Sequence, residues 1–377
     1  MNSTDTSRKS IIARASLMLL AIVAFALLSA GAASAQAPKL SRPPGDARVF
    51  APFPSDPGYP ESIAVNGDRV YVAGPAQFGS FVQPKVVAYD INTGAVVATY
   101  AIQGQNPLAP QAGTGIAFGK NDVLYVGDLQ QGVVRFDVDD PNAVQEHYAS
   151  ALPDIPPCAV AQPGAVCSPT TTDQPPLIND LVFDDDGNLY ISDSMQATIW
   201  RVPSGGGAPA PWFQSPAFDV AFGANGMRFD PRGERLYVAV TFGALGQGFI
   251  YSLPATATPA QSDLQVFHTY TMGEGPDGIA FGKSGKLYVA LAASNQISVL
   301  RADGTEEARH SGPAANPGGT LNPLPFANPS AIAFNDKTRS LLFTNHAIFF
   351  PAADQFFAVI DVYVNDKGDK LSIPNVK

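Results

Sequence analysis

The chain has 377 residues, with 33 acidic against 23 basic side chains and a formal net charge of −10. An acidic chain without a basic patch is excluded as a partner of nucleic acid or anionic membrane surfaces. Its 34 glycines and 34 prolines point to many short strands joined by turns.

The first segment stands apart from the fold. Arg8, Lys9 and Arg14 make a basic start, an apolar run extends from Ala15 to about Gly31, and Ala33-Ser34-Ala35 is a small-x-small cleavage site. Residues 1–35 are read as a secretory signal peptide, and residues 36–377 as one domain whose charge is −12. After cleavage no segment is apolar enough to span a bilayer, so the mature protein is expected in a periplasm or in the medium.

From Glu61 onward one phrase returns six times: a polar residue, an apolar strand, a turn, and a second strand that mostly carries Tyr-Val. Ser62-Ile63-Ala64-Val65 leads to Tyr71-Val72, and Gly115-Ile116-Ala117-Phe118 to Tyr125-Val126. Leu181-Val182-Phe183 leads to Tyr190-Ile191, Gly226-Met227-Arg228-Phe229 to Tyr237-Val238, and Gly278-Ile279-Ala280-Phe281 to Tyr288-Val289. Ala331-Ile332-Ala333-Phe334 leads to Leu342-Phe343. The units begin near residues 61, 114, 179, 225, 277 and 330, which leaves room for about four strands each. That period predicts an all-β fold: a six-bladed β-propeller of four-stranded antiparallel blades around a central channel. The closing strand of blade 6 is expected from Ala47–Phe53, from Lys370–Ile373, or from both.

An insertion over about residues 152–176 lengthens the step between blades 2 and 3. It holds seven prolines and the two cysteines, Cys158 and Cys167, and in an exported chain these are expected to form a local disulfide. Two readings of the loop stand side by side: a rim or lid on the channel face, or a plain surface connection.

The residue just ahead of each first strand reads Glu61, Thr114, Asn179, Asn225, Asp277 and Ser330, and every one carries a side-chain oxygen. First strands line the channel of a propeller, so these residues converge, with Asp128, Asp193, Asn345 and His346 one shell out. Two carboxylates and two amides on one axis would repel or go unsatisfied without a ligand. A divalent metal bound by Glu61, Asn179, Asn225 and Asp277 answers both problems, and all-oxygen donors favour Ca²⁺, with Mg²⁺ or Mn²⁺ as alternatives. Asp180 is placed to add a donor or to orient one. Read singly, Asn225-Gly226 and Asp277-Gly278 also fit plain turns.

Asn179-Asp180 ahead of Asp184-Asp185-Asp186-Gly187-Asn188-Leu189-Tyr190, Asn225-Gly226-Met227 ahead of Asp230-Pro231-Arg232-Gly233, and Pro276-Asp277-Gly278-Ile279-Ala280 carry a family resemblance. With them the chain, from Glu61 to about Val364, resembles the senescence marker protein/gluconolactonase/lactonase group (LRE-like) of six-bladed propellers. The resemblance implies one catalytic divalent metal on Glu61, Asn225 and Asp277, with Asn179 a ligand or a substrate contact and Asp277 a candidate base. Two departures stand out: Ser62-Ile63 replaces the family's Gly-Pro after the Glu, and Leu177 stands where sugar-lactone members often carry Arg.

Loop residues Phe78, Phe81, Phe242, Leu245, Ile348, Phe349, Phe350 and Phe356 are expected around the site, with Phe242, Phe349 and Phe350 as substrate contacts. The function expected is a secreted metal-dependent hydrolase that opens a fairly apolar lactone or ester, its base Asp277 or His346. The rival is a non-catalytic propeller, resembling NHL repeats, that binds a peptide, glycan or protein partner.

Overall fold

The structure is a computed structural model that describes residues 42–140, 144–315 and 323–375. The expected signal peptide lies outside the described residues. From Pro43 on the chain is one compact unit. Its strands form six separate four-stranded antiparallel sheets, the expected blades.

Each blade runs outward from an inner strand. The inner strands are Ile63–Asn66, Gly113–Phe118, Ile178–Phe183, Phe222–Phe229, Pro276–Phe281 and Pro329–Asn335. They are buried far more than the fourth strands such as Val96–Ala101, whose faces are largely open. Blade 6 is completed by the N-terminal strand Ala47–Pro52, which pairs antiparallel with Ala358–Tyr363. Residues 370–373 form no strand; the tail instead crosses the face where the inner strands end. There Asp369 N–H donates to Phe281 O at 2.9 Å, Ser372 Oγ donates to Asp185 Oδ1 at 2.6 Å, and Lys120 N–H donates to Pro374 O at 2.9 Å. Blades 5, 3 and 2 are thereby tied by one segment.

The recurring Phe and Tyr have a packing reason. Tyr71 meets Phe118 of the next blade edge-on, and Tyr125–Phe183, Tyr190–Phe229, Tyr237–Phe281 and Tyr288–Phe334 repeat the contact at 5.0 to 5.3 Å between ring centres. Five of the six blade junctions therefore carry one edge-to-face aromatic pair, an arrangement that adds to plain area burial. At the sixth junction, where the ring closes, Leu342 and Val65 share a mixed hydrophobic cluster instead.

Candidate functional site

Of the six oxygen-bearing residues only Glu61 precedes its inner strand, as the sequence suggested; the other five lie within the strands, in β-bulges. In blade 2 the register passes from Gly113↔Asp128 to Ile116↔Val126, so Thr114 and Gly115 face one partner residue. The same two-against-one irregularity contains Asn179-Asp180, Asn225-Gly226, Asp277-Gly278 and Ser330-Ala331. A bulge leaves its extra residue unpaired and turns its side chain out of the ladder, here toward the axis. Glu61 reaches the same level from the entry to blade 1, where its N–H donates to Ala73 O at 2.9 Å.

Asn225-Gly226 and Asp277-Gly278 are thus not turns. Their glycines have no positive φ. Each is needed for the close approach of neighbouring blades: a Cβ on Gly226 would lie 2.5 Å from Asp277 O and 2.7 Å from Gly278 Cα.

Glu61, Thr114, Asn179, Asn225, Asp277 and His346 line one cavity of about 640 Å³. Ser330 does not; its hydroxyl is bound to Glu61 O at 3.0 Å and to Thr344 Oγ1 at 2.8 Å, behind the floor. Among the described residues no cluster of three or more His, Cys, Asp or Glu side chains is arranged to hold a metal. The floor has two carboxylates, and its other side-chain oxygens belong to the amides of Asn179 and Asn225 and to the Thr114 hydroxyl.

Those groups are poorly satisfied by the protein alone. Asn225 Nδ2 donates to Thr241 Oγ1 at 2.9 Å, which turns the amide oxygen Oδ1 inward, and that buried oxygen has no hydrogen-bond partner. Burial raises the Asp277 carboxyl to about 7, and the nearby negative charge of Asp180 adds to the rise, against a lowering contribution from Asn225. Burial, then the charge of Asp277, push Glu61 well above the ordinary carboxyl range, with Ser330 opposing. Paired buried carboxylates raise each other because the second charge has no counterion.

His346 is placed differently from the free base the sequence suggested. Its Nε2 is 2.7 Å from Ala76 O, a carbonyl that only accepts, so Nε2 carries a proton. Its Nδ1 lies 3.2 Å from Glu61 Oε2, and burial holds the imidazole down to about 4. A neutral Nδ1 and an ionised Glu61 would set two lone pairs against each other, so the proton between them sits on Glu61. Both ring nitrogens are engaged, and His346 serves as the partner of Glu61.

Asp180 is not a spare donor either. Its Oδ2 accepts from Arg228 Nη1 at 2.7 Å and from Met227 N–H at 2.8 Å, and its Oδ1 accepts from Leu181 N–H at 2.8 Å. This buried ion pair beside the floor went unnoticed in the sequence. Its one signal was a charged residue, Arg228, between Met227 and Phe229 in an inner strand.

Asp128, Asp193 and Asn345 hold loops instead of the site. Asp193 accepts from Leu177, Met195 and Gln196 N–H groups and from Trp200 Nε1; Asp128 caps the turn at Gln130 and Gln131; Asn345 binds Ala327 N–H and the carbonyls of Pro325 and Phe356.

Of the apolar loop residues, Phe78, Phe242, Ile348 and Phe349 line the cavity, joined by Met195 and Phe222. Phe350 does not: it packs on Phe356, ring centres 5.3 Å apart, in the cluster between blades 6 and 1. Phe81 and Leu245 are exposed and away from the wall. Cys158 and Cys167 are joined. Their loop docks on blade 3, where Gln214 Nε2 donates to Cys167 O at 2.8 Å and Ser168 Oγ to Gln196 O at 2.8 Å. Only its last residues, Gln174–Leu177, reach the cavity wall, so the loop forms part of the rim.

The fold and floor together define a class: a six-bladed propeller with oxygen donors gathered at one end of its channel. Residues 164–320 match the family described as the SMP-30/Gluconolactonase/LRE-like region, so the resemblance carried by the sequence motifs is shown over that span. Among solved structures the chain is similar to regucalcin, described as a calcium-binding protein, from Agrobacterium tumefaciens. The identity is 16%, the TM-score 0.58, and the match covers 89% of this chain and 98% of that one. A luciferin-regenerating enzyme (12% identity, TM-score 0.56, 87% and 98%) and a putative gluconolactonase (16%, 0.54, 86% and 94%) share the fold likewise. No curated protein matches the chain.

Proposed function

We propose that the protein is an exported, metal-dependent hydrolase of an ester or lactone with a fairly apolar body. The observation that carries this reading is the floor: two buried carboxylates and one partnerless amide oxygen meet beneath an apolar cavity. Such a donor set suits a hard divalent cation, Ca²⁺ first, with Mg²⁺ or Mn²⁺ as alternatives. Glu61, Asn179, Asn225 and Asp277 would hold it, and when bound it polarises the substrate carbonyl. Thr241 fixes the Asn225 amide with its oxygen inward. The Asp277 carboxylate accepts a proton from the attacking water. The disulfide supports an oxidising compartment and hence export, and among the described residues no helix is long and apolar enough to cross a membrane.

A non-catalytic binding propeller is not favoured, because it has no use for uncompensated carboxylates on its axis. Calorimetric titration of the purified protein with calcium tests the reading, followed by a lactone and aryl-ester panel with and without chelator. Binding that is lost in Glu61→Gln with Asp277→Asn, and chelator-sensitive hydrolysis, are expected. No metal binding, or binding indifferent to those two changes, would overturn it.

A further inference from the structure

The cavity walls carry a second pattern. Among the described residues that line the cavity, the charged side chains are Glu61 and Asp277; there is no Lys or Arg. A divalent cation would cancel those two charges and leave nothing to offset an anionic substrate. Over this floor a contact crosses the ring. Phe78 belongs to the loop after the second strand of blade 1, and Phe222 opens the inner strand of blade 4, the blade directly opposite. Their rings nevertheless meet edge-on, with centres 6.2 Å apart. Both line the cavity, and Phe242, the cross-strand partner of Phe222, stands beside them.

The loop is built to hold Phe78 there. Ala76 N–H donates to Tyr59 O at 3.0 Å and Ala76 O accepts from His346 Nε2 at 2.7 Å. On the far side of the tip, Gln111 N–H donates to Ser80 O at 2.8 Å and Gln111 Nε2 to Phe81 O at 3.0 Å. Both legs are fixed, yet Phe78 between them is 68% exposed. An aromatic ring kept open to water over an apolar cavity has surface to offer a ligand.

We propose that Phe78 and Phe222 form an aromatic bar across the mouth that determines specificity, selecting uncharged substrates with a flat or unbranched apolar body and rejecting anionic ones. This deepens the proposed function and rests on the reading of the cavity as a substrate site. A ring or chain sliding under the bar replaces water on the Phe78 face, whereas a carboxylate or phosphate in the same place is stripped of water without gaining a cation.

The test compares wild type, Phe78→Ala, Phe78→Tyr and Phe222→Ala in two assays. The first is binding of the uncharged dye Nile red, read by fluorescence. The second is hydrolysis of phenyl acetate against 4-acetoxybenzoate, which differ by one carboxylate. Wild type should prefer the uncharged ester on the order of tenfold or more. Phe78→Ala should weaken dye binding and raise KM for phenyl acetate by about three- to tenfold, with kcat little changed and Phe78→Tyr restoring most of the loss. Because Phe78 is exposed, its replacement leaves the melting temperature unchanged. Equal dye binding by wild type and both alanine variants, or equal use of the two esters, overturns the proposal. Dye binding that depends on Phe78 without hydrolysis of any ester sinks the hydrolase reading and leaves the aromatic bar standing as the contact for an apolar ligand.

Discussion

Replacing Gly226 by Ala should loosen the ring and the floor at once. The new Cβ would fall 2.5 Å from Asp277 O, where ordinary contact begins at 3.4 Å. Both obstacles, Asp277 O and Gly278 Cα, are backbone, so no rotamer change gives relief. Blades 4 and 5 must separate locally by about 0.9 Å, or the bulges must distort. Overpacking of this kind costs about 1–3 kcal/mol. With an unfolding entropy near 2.1 cal/mol/K per residue, this amounts to roughly 1 to 4 °C in Tm for a domain of this size. The displacement also falls between Asn225 and Asp277, each one residue from a glycine in the clash. Calcium affinity should therefore drop by about tenfold or more, since hard-cation sites tolerate only a few tenths of an ångström. Differential scanning fluorimetry with and without calcium, paired with calorimetric titration, measures both effects. A Gly226→Ala protein with wild-type Tm and wild-type calcium affinity would refute the argument that blade contact sets the floor.

Two further predictions concern charge. Asp180→Asn leaves Arg228 as a buried cation without a counterion and should cost about 3–5 kcal/mol in denaturant unfolding. The double change with Arg228→Met should recover most of that; no recovery would mean the pair is not the cause. Calcium binding must displace protons from Glu61 and Asp277. The affinity should then rise with pH, about tenfold per unit for each proton released, with the share due to Asp277 lost from the slope once it ionises near pH 7. The sign follows from raised carboxyls: the protonated, metal-free state is favoured at low pH and the ionised, metal-bound state at high pH. A pH-independent affinity between pH 5 and 7 would show that the carboxylates are already ionised.

The repeat was legible because packing between identical blades demands the same residue at the same place. The first strand of blade 1, read as Ser62–Val65, comes out as Ile63–Asn66, within a residue at either end. The donor column was legible for a related reason: Glu61 and Asp277 stand where a β fold would not otherwise put a carboxylate. His346, Asp180 and Arg228 were not legible in their roles. Their partners are distant in sequence: Glu61 with His346, Ala76 with the same imidazole, and Asp180 with Arg228.

By itself the sequence determined the number of blades, the strand order within them, the cysteine pair and the set of oxygen donors, because each follows from local pattern and period. Only the tertiary structure decided what those residues do. The blade contacts make Gly226 a spacer where the sequence allowed a turn. The bulges take Asn225 and Asp277 out of the ladder, and ring closure sets Phe78 against Phe222 and His346 against Glu61. Those contacts join opposite or first and last blades, and no local preference along the chain encodes how a ring closes.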